Sequence, residues 1–437
     1  MTTPIYDFVK KFSESGAARF HMPGHKGAPL LGCEALDITE ISGADVLYSA
    51  EGIIDESERN LTSLYGTAHS FYSTEGSTLA IKAMLKLVSE REGDRRPLVL
   101  AARNVHASFV RAAALLDLDV EWIYPNEEEH LCRCKISPRD IQIAVEACNR
   151  RVCAVYITSP DYLGNIADIP GLARVCKRYK IPLIVDNAHG AYLKFLSEDI
   201  HPITLGAAMC ADSAHKTLPV LTGGAYLHIS PDYPEYAERA REALSLFAST
   251  SPSYLTLQSL DLCNKRLAEG YAAKISVLAK ESEEIKNKIF TLGFEVLDTE
   301  PMKIVIKQGE SLANHLRAEA IEPEFSDGEY TVLMLTPANS EEDFARLLDA
   351  LSTFRAEKKA SDEIFSVKPH DRKMTIRQAV FAKSELIPVE KSAGRICASP
   401  TVSCPPAVPI VISGEQITEN DITLFNHYGI KTVSVVK

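Results

Sequence analysis

Between residues 60 and 230, short apolar runs alternate with helical segments, and this alternation restricts the fold more than any other feature. The runs at 98–101, 120–124, 153–158 and 182–186 are four to six residues long, the length of a strand. Helically spaced apolar residues fill 109–116 and 171–179. Strands and helices alternating at this spacing build a mostly parallel sheet covered by helices, an α/β fold. From about residue 256 the character changes. A long charged helix at 272–292 leads into strands at 294–297 and 303–306, a helix at 311–318, a strand at 330–336 and a helix at 341–358. This reads as a smaller α+β domain. The polar stretch 359–372 reads as a linker, and the proline-rich CPPAVPIVISG lies in a small last unit. At the other end, an amphipathic helix at 5–12 precedes the loop FHMPGHKG. The expected division is an arm at 1–36, a large domain at 37–255, a small α+β domain at 256–358 and a C-terminal domain at 359–437.

Two or three domains suit a chain of 437 residues, 46% of them apolar. The net charge of −12 argues against nucleic acid and anionic membrane as partners. The N-terminus MTTPIYDFVKKFSESG has no apolar signal core, and no run approaches the roughly 18 apolar residues of a membrane span. Ten cysteines are scattered without a C-x-x-C pair, so no metal site is expected. Together these features fit a cytoplasmic protein with reduced thiols.

Four segments carry candidate chemistry. In ADSAHKT (211–217), Lys216 is flanked by Ser213 and His215 at the edge of a β-rich run. Pyridoxal phosphate (PLP) needs one lysine as its Schiff-base partner and phosphate donors beside it. A surface lysine next to a capping serine would give the same string. In PLIVDNAHG (182–190), an apolar strand ends in Asp186, where a carboxylate can pair with the pyridine nitrogen of PLP. An aspartate capping the next turn would look alike. Asp186 and Lys216 together, each closing a strand, are more specific, and the pair has the look of fold-type I PLP enzymes. In STEGSTLAIKAML (73–85), Gly76, Ser77 and Thr78 open an apolar helix whose free amides and hydroxyls suit a phosphate, or simply cap the helix. In ARNVHASF (102–109), His106 follows a strand, where its ring would stack on the pyridine or serve the loop alone.

These segments resemble the ornithine/lysine/arginine decarboxylases of bacteria, in the shorter form without an N-terminal wing domain. The likeness is carried by FHMPGHKG (20–27), EISGADVLYSAEGII (40–54), EGST (75–78), RNVHAS (103–108), ITSPDYLG (157–164), VDNAHGAY (185–192) and DSAHKTLPVLTGGAYLHI (212–229). The tail, from RQAVFAKSELIPVEKSAGRICA through ISGEQI, resembles the family's C-terminal domain. The resemblance implies an aspartate-aminotransferase-like large domain, a small domain and a C-terminal domain. It assigns Lys216 to the covalent link with PLP, Asp186 to the ring nitrogen and His106 to the ring face. Ser77, Thr78, Ser213 and His215 would hold the phosphate, with Gly76 at the turn, and Ala188 and His189 would lie against the cofactor. It also implies a homodimer with composite sites, in which 45–52 approaches the neighbour.

The activity implied is α-decarboxylation of arginine, lysine or ornithine to CO2 and a polyamine-type amine. Another fold-type I reaction, transamination or lysis, shares the same core, and a non-catalytic relative is a rival of another class. Departures cluster where substrate would be chosen: Glu75 stands for the family's Asn, Asn187 for its Glu, Asp161-Tyr162 for an aromatic pair and SCPPAVP for a Tyr-Pro-rich stretch. Asp45, Glu51 and Glu415 are candidate partners of a cationic side chain, or capping carboxylates. An acidic substrate would need a cation, and the motifs offer Lys26 and Arg103. His21, His25 and Lys26 would shape the entrance or order the arm.

Overall fold

The computed structural model describes residues 1–89, 95–125, 130–355, 366–400, 402–404 and 408–437. The expected linker at 359–372 and the CPPAVP run lie partly outside the described residues. Seven strands follow one another: β1 (His69–Ser73), β2 (Leu98–Ala102), β3 (Asp119–Ile123), β4 (Val152–Thr158), β5 (Leu183–Asp186), β6 (Met209–Asp212) and β7 (Ala225–Ile229). Helices among them include α1 (Pro4–Glu14), α2 (Ile53–Tyr65), α3 (Gly76–Val88), α4 (Ala107–Leu116), α5 (Pro138–Ala147) and α6 (Ile169–Tyr179).

The chain forms two compact units, Met1–Val88 with Leu183–Ser276, and Ser89–Pro182 with Val277–Lys437. In the first unit the strands lie in the order β1-β7-β6-β5. β5 and β6 are parallel, with Ile184 opposite Met209, while β7 is antiparallel to both β6 and β1. The reversal at β7 has a local cause: β6 and β7 are joined by a four-residue helix, Ala214–Thr217, not by a crossover helix. Every residue of β5, β6 and β7 is buried, as expected of strands covered on both faces. The arm helix α1 is fixed by a buried carboxylate: Asp261 Oδ2 accepts the amides of Ile5 and Tyr6, each at 3.0 Å.

In the second unit β4, β2 and β3 are all parallel, with Val99 opposite both Ala154 and Val120. The connecting helices begin on strong caps. Ser137 and Asp140 form a reciprocal capping box on α5, and Asp168 caps α6 ahead of a proline. The smaller sheet pairs Lys303–Ile306 with Thr331–Met334. The strand expected at 294–297 is reduced to one bridge, Val296 to Ile306. The helix expected to reach 358 is Glu341–Thr353. The C-terminal segment pairs Ser384–Pro388 with Thr432–Val436 and Val402–Cys404 with Val408–Val411. Ile410, Val411, Phe425 and Val435 pack there with Val305 and Val332. Among the described residues no helix is long and apolar enough to cross a membrane.

Candidate active site

Lys216 sits in the turn that follows β6. Its amide donates to Ser213 O at 3.1 Å, and its Nζ donates to His189 Nε2 at 3.1 Å. His215 faces the other way, its Nδ1 donating to Gly224 O at 2.9 Å. Burial pushes the His215 imidazole below its ordinary value, and the Lys216 charge adds to this against the Gly224 contact, so a neutral ring is favoured.

Asp186 closes β5, only 2% exposed, with Oδ1 accepting the Ala188 amide at 3.2 Å. The next three residues form a tight turn. Gly190 is required in it, because a Cβ there would lie 2.1 Å from Asn187 Oδ1. Ala188 is half-buried and His189 buried. Asp186 and Lys216 thus stand at the carboxyl ends of adjacent parallel strands, the edge where open α/β sheets receive ligands.

Beneath this edge lies a cluster that sequence reasoning missed. Asp212, fully buried, accepts from Asn187 Nδ2 at 2.7 Å and from His201 Nε2 at 3.0 Å, with His228 Nε2 3.3 Å away. Ser70 Oγ meets the other His228 nitrogen at 2.7 Å. Burial alone would raise the Asp212 carboxyl, but the two imidazoles outweigh it and hold it far below the usual carboxylate range. His228 is pushed down by burial, with Asp212 opposing. The available signal was the alternation of Cys210, Asp212 and His228 on paired strands, with Cys210 opposite His228. Ligand-type atoms of His201, Cys210 and Asp212 lie within 4.8 Å of one another, as do those of Asp55, Glu58 and His69. Each group is already knit by hydrogen bonds or ion pairs to protein partners.

The Gly76-Ser77-Thr78 segment opens α3, and Ser213 Oγ donates to Ser77 Oγ at 2.8 Å. The structure therefore brings Ser77 and Ser213 together across 136 residues of sequence. Gly76 has φ +70° and its amide donates to Gly223 O at 2.7 Å, so it shapes the turn while its own N–H is engaged. Glu75, the departure beside it, accepts the Ser249 amide at 2.7 Å.

In the second unit His106 caps α4. Its Nδ1 accepts the Ser108 amide at 3.1 Å and meets Ser108 Oγ at 2.7 Å, which ties the ring to the first turn of α4.

A family model described as "Orn/Lys/Arg decarboxylase, major domain" matches residues 3–308, and one described as "Orn/Lys/Arg decarboxylase, C-terminal domain" matches 357–429. The chain belongs to the Orn/Lys/Arg decarboxylase family. This makes it an amino-acid decarboxylase by family, with the α/β architecture of fold-type I PLP enzymes. It is 30% identical to a Bacillus subtilis arginine decarboxylase over 96% of this chain and 92% of that one. A Bacillus anthracis arginine decarboxylase is 27% identical over 96% and 92%. Among solved structures, the Francisella novicida lysine decarboxylase superposes with a TM-score of 0.82 at 17% identity, covering 100% of this chain and 81% of that one.

For this member of the decarboxylase family, most of the candidate charges are engaged by other groups of the protein. Asp45, at φ +67°, accepts the amides of Val46, Glu51, Gly52 and Ile54, as a capping carboxylate does. Glu415 is buried against Arg103 at 3.2 Å. Arg103 also donates to two backbone carbonyls and is 3% exposed. His25 meets Asp37 at 3.2 Å, and Lys26 donates to the His21 carbonyl, so FHMPGHKG is tied within the arm. Glu51 is exposed.

Proposed function

We propose that this chain removes the α-carboxylate of arginine, lysine or ornithine, giving CO2 and a polyamine-type amine, with PLP attached through Lys216. One observation carries the reading: Lys216 and Asp186 share the carboxyl edge of neighbouring parallel strands, with the Ser77–Ser213 hydroxyl pair at the start of α3. The donor set suits PLP. A phosphate can take both serine hydroxyls together with Thr78 and the α3 amides, in the positive field of a helix N-terminus. His215, its Nδ1 held by Gly224, can add Nε2.

When bound, the cofactor supplies an electron sink for the pair released as CO2 leaves Cα. The chain supplies proton placement and orientation. Asp186 would hold a proton at the ring nitrogen, His106 would serve the ring face, and Ala188 and His189 would lie against the cofactor. His189 Nε2, at 3.1 Å, takes the proton that Lys216 Nζ must lose before its lone pair can react, and can return it. A basic substrate is favoured because the two cations weighed for an acidic side chain are engaged, Arg103 inside the protein and Lys26 with the His21 carbonyl. The same reading includes the four-part domain division, a cytoplasmic location and a homodimer whose 45–52 segments reach the neighbouring sites.

Borohydride reduction of the holoenzyme followed by peptide mapping is expected to label Lys216. Incubation with arginine, lysine, ornithine, glutamate and phenylalanine is expected to release CO2 from at least one of the first three. Label on another lysine sinks the attachment site. CO2 from glutamate or phenylalanine alone sinks the substrate class but not the chemistry.

A further inference from the structure

Arg103 leaves β2 as a buried cation, and its fork makes three hydrogen bonds to the C-terminal segment. Nη1 donates to Pro409 O at 2.9 Å, and Nη2 to Ile410 O at 3.0 Å and to Glu415 Oε2 at 3.2 Å. The guanidinium also lies 5.5 Å over the ring of Trp122, the chain's single tryptophan. Glu415 is itself fixed, its Oε2 accepting the Ile412 amide at 2.8 Å. His370 continues the run, with Nδ1 3.6 Å from Glu415 and Nε2 2.9 Å from Asp421. Arginine, glutamate, histidine and aspartate therefore alternate through the interior, each at most 4% exposed at its side chain.

Such a network is a poor device for stability alone. Desolvating an ion pair offsets most of its attraction, and apolar residues of similar volume serve as well. What a planar, multiply bonded guanidinium gives is a fixed direction. Here the direction is transmitted over a short path: Asn104 and Val105, both buried, join Arg103 to His106.

We propose that Arg103 is a positioning residue through which the C-terminal domain, by Glu415 and the 409–410 carbonyls, sets the ring of His106. The proposal rests on the reading above in which His106 covers the cofactor ring. It makes the C-terminal domain part of the site's geometry without touching substrate. Lysine cannot replace Arg103, because an ammonium lacks the fork, and Glu415→Gln keeps the shape while removing the charge.

The test uses PLP-loaded enzyme and the variants His106→Ala, Arg103→Lys, Glu415→Gln and the double variants His106→Ala/Arg103→Lys and His106→Ala/Glu415→Gln. Three properties are read: visible-region circular dichroism of the bound cofactor, Trp122 emission, and kcat on the substrate that releases CO2. Glu415→Gln and Arg103→Lys are expected to shift Trp122 emission, weaken the cofactor's dichroism and lower kcat about tenfold at full PLP occupancy. In the His106→Ala background each should add less than about twofold, since residues acting through one another are non-additive. Losses that multiply, with His106→Ala itself impaired, overturn the clamp and leave the His106 reading standing. His106→Ala with unchanged dichroism and kcat overturns that reading and the clamp with it. Should Arg103→Lys fail to fold, the near-isosteric Glu415→Gln decides, and unchanged dichroism and emission in it refute the proposal.

Discussion

Asp212 lies inside the ADSAHKT segment, and His201 and His228 hold its carboxyl far below the usual carboxylate range although no solvent reaches it. It ties the two halves of the site together, since its Asn187 contact anchors the turn bearing Asp186 and His189, while its own strand feeds Lys216. Replacing it by asparagine leaves two imidazoles without their anion. The expected cost is roughly 3–5 kcal/mol of unfolding free energy, read from denaturant titration, with weakened PLP retention. Because the folded carboxyl lies below its unfolded value of about 4, the stabilisation is present above that pH and fades only in stronger acid. Asp186→Asn should behave differently. The fold and cofactor loading are expected to survive while kcat drops about a hundredfold, the scale of a positioned proton-holding group. A near wild-type rate in a fully loaded variant would remove Asp186 from its role. The two aspartates also mark what sequence can say about residues. Asp186 closes a readable apolar strand, and Ser77 and Ser213 lie in readable turns. Asp212 depends on His201 and His228, whose approach is fixed only by strand pairing and by the fold of the 196–208 loop.

α4 and α6 were legible from the apolar spacing at 109–116 and 171–179, whereas α5 went unread although Ser137 and Asp140 form a capping box at its start. β1 escaped notice because HSFYS is polar by composition, and its burial comes from distant partners, β7 alongside it and Ser57 and Asn264 against Tyr72. The strand at 294–297 was overread because its apolar residues find one bridge and no ladder. Helix α1 was legible as an amphipathic helix, but its anchor was not, since Asp261 is 255 residues from Tyr6. Burial pushes the Asp261 carboxyl up to about 6, against the Ser57, Ile5 and Tyr6 hydrogen bonds and with Asp7 adding to the rise. A folded value above the unfolded value of about 4 means stability is fully present below pH 4 and declines as pH rises through 6. Asp261→Asn can still accept both α1 amides and carries no charge to desolvate. Its melting temperature relative to wild type should therefore rise between pH 5 and pH 8. Asp261→Ala removes the acceptor and should expose α1 to proteolysis at every pH. An Asn variant whose relative stability falls over that range would place the ionised carboxylate among the favourable contributions.

At the scale of the molecule, Asp45 holds the 46–54 segment in shape and Glu51 is left exposed on it. If the homodimer has shared sites, Lys216→Ala and Glu51→Ala subunits should complement when mixed, an equimolar mixture regaining up to about a quarter of wild-type activity from the one intact site in each heterodimer. No recovery in dimers shown to exchange subunits would point to self-contained sites. The first compact unit is discontinuous, leaving at Val88 and resuming at Leu183. Ser77 therefore emerges from the ribosome long before Ser213 and Lys216. About 190 residues separate Val88 from the unit's end at Ser276, a wait of roughly 10–40 s at 5–20 residues per second. During that interval α1 lacks its Asp261 anchor, and until residues 225–229 are made β1 lacks its partner β7. The nascent N-terminal fifth is thus expected to depend on chaperones, and on the proposed reading the cofactor site cannot form until synthesis has passed the lysine turn.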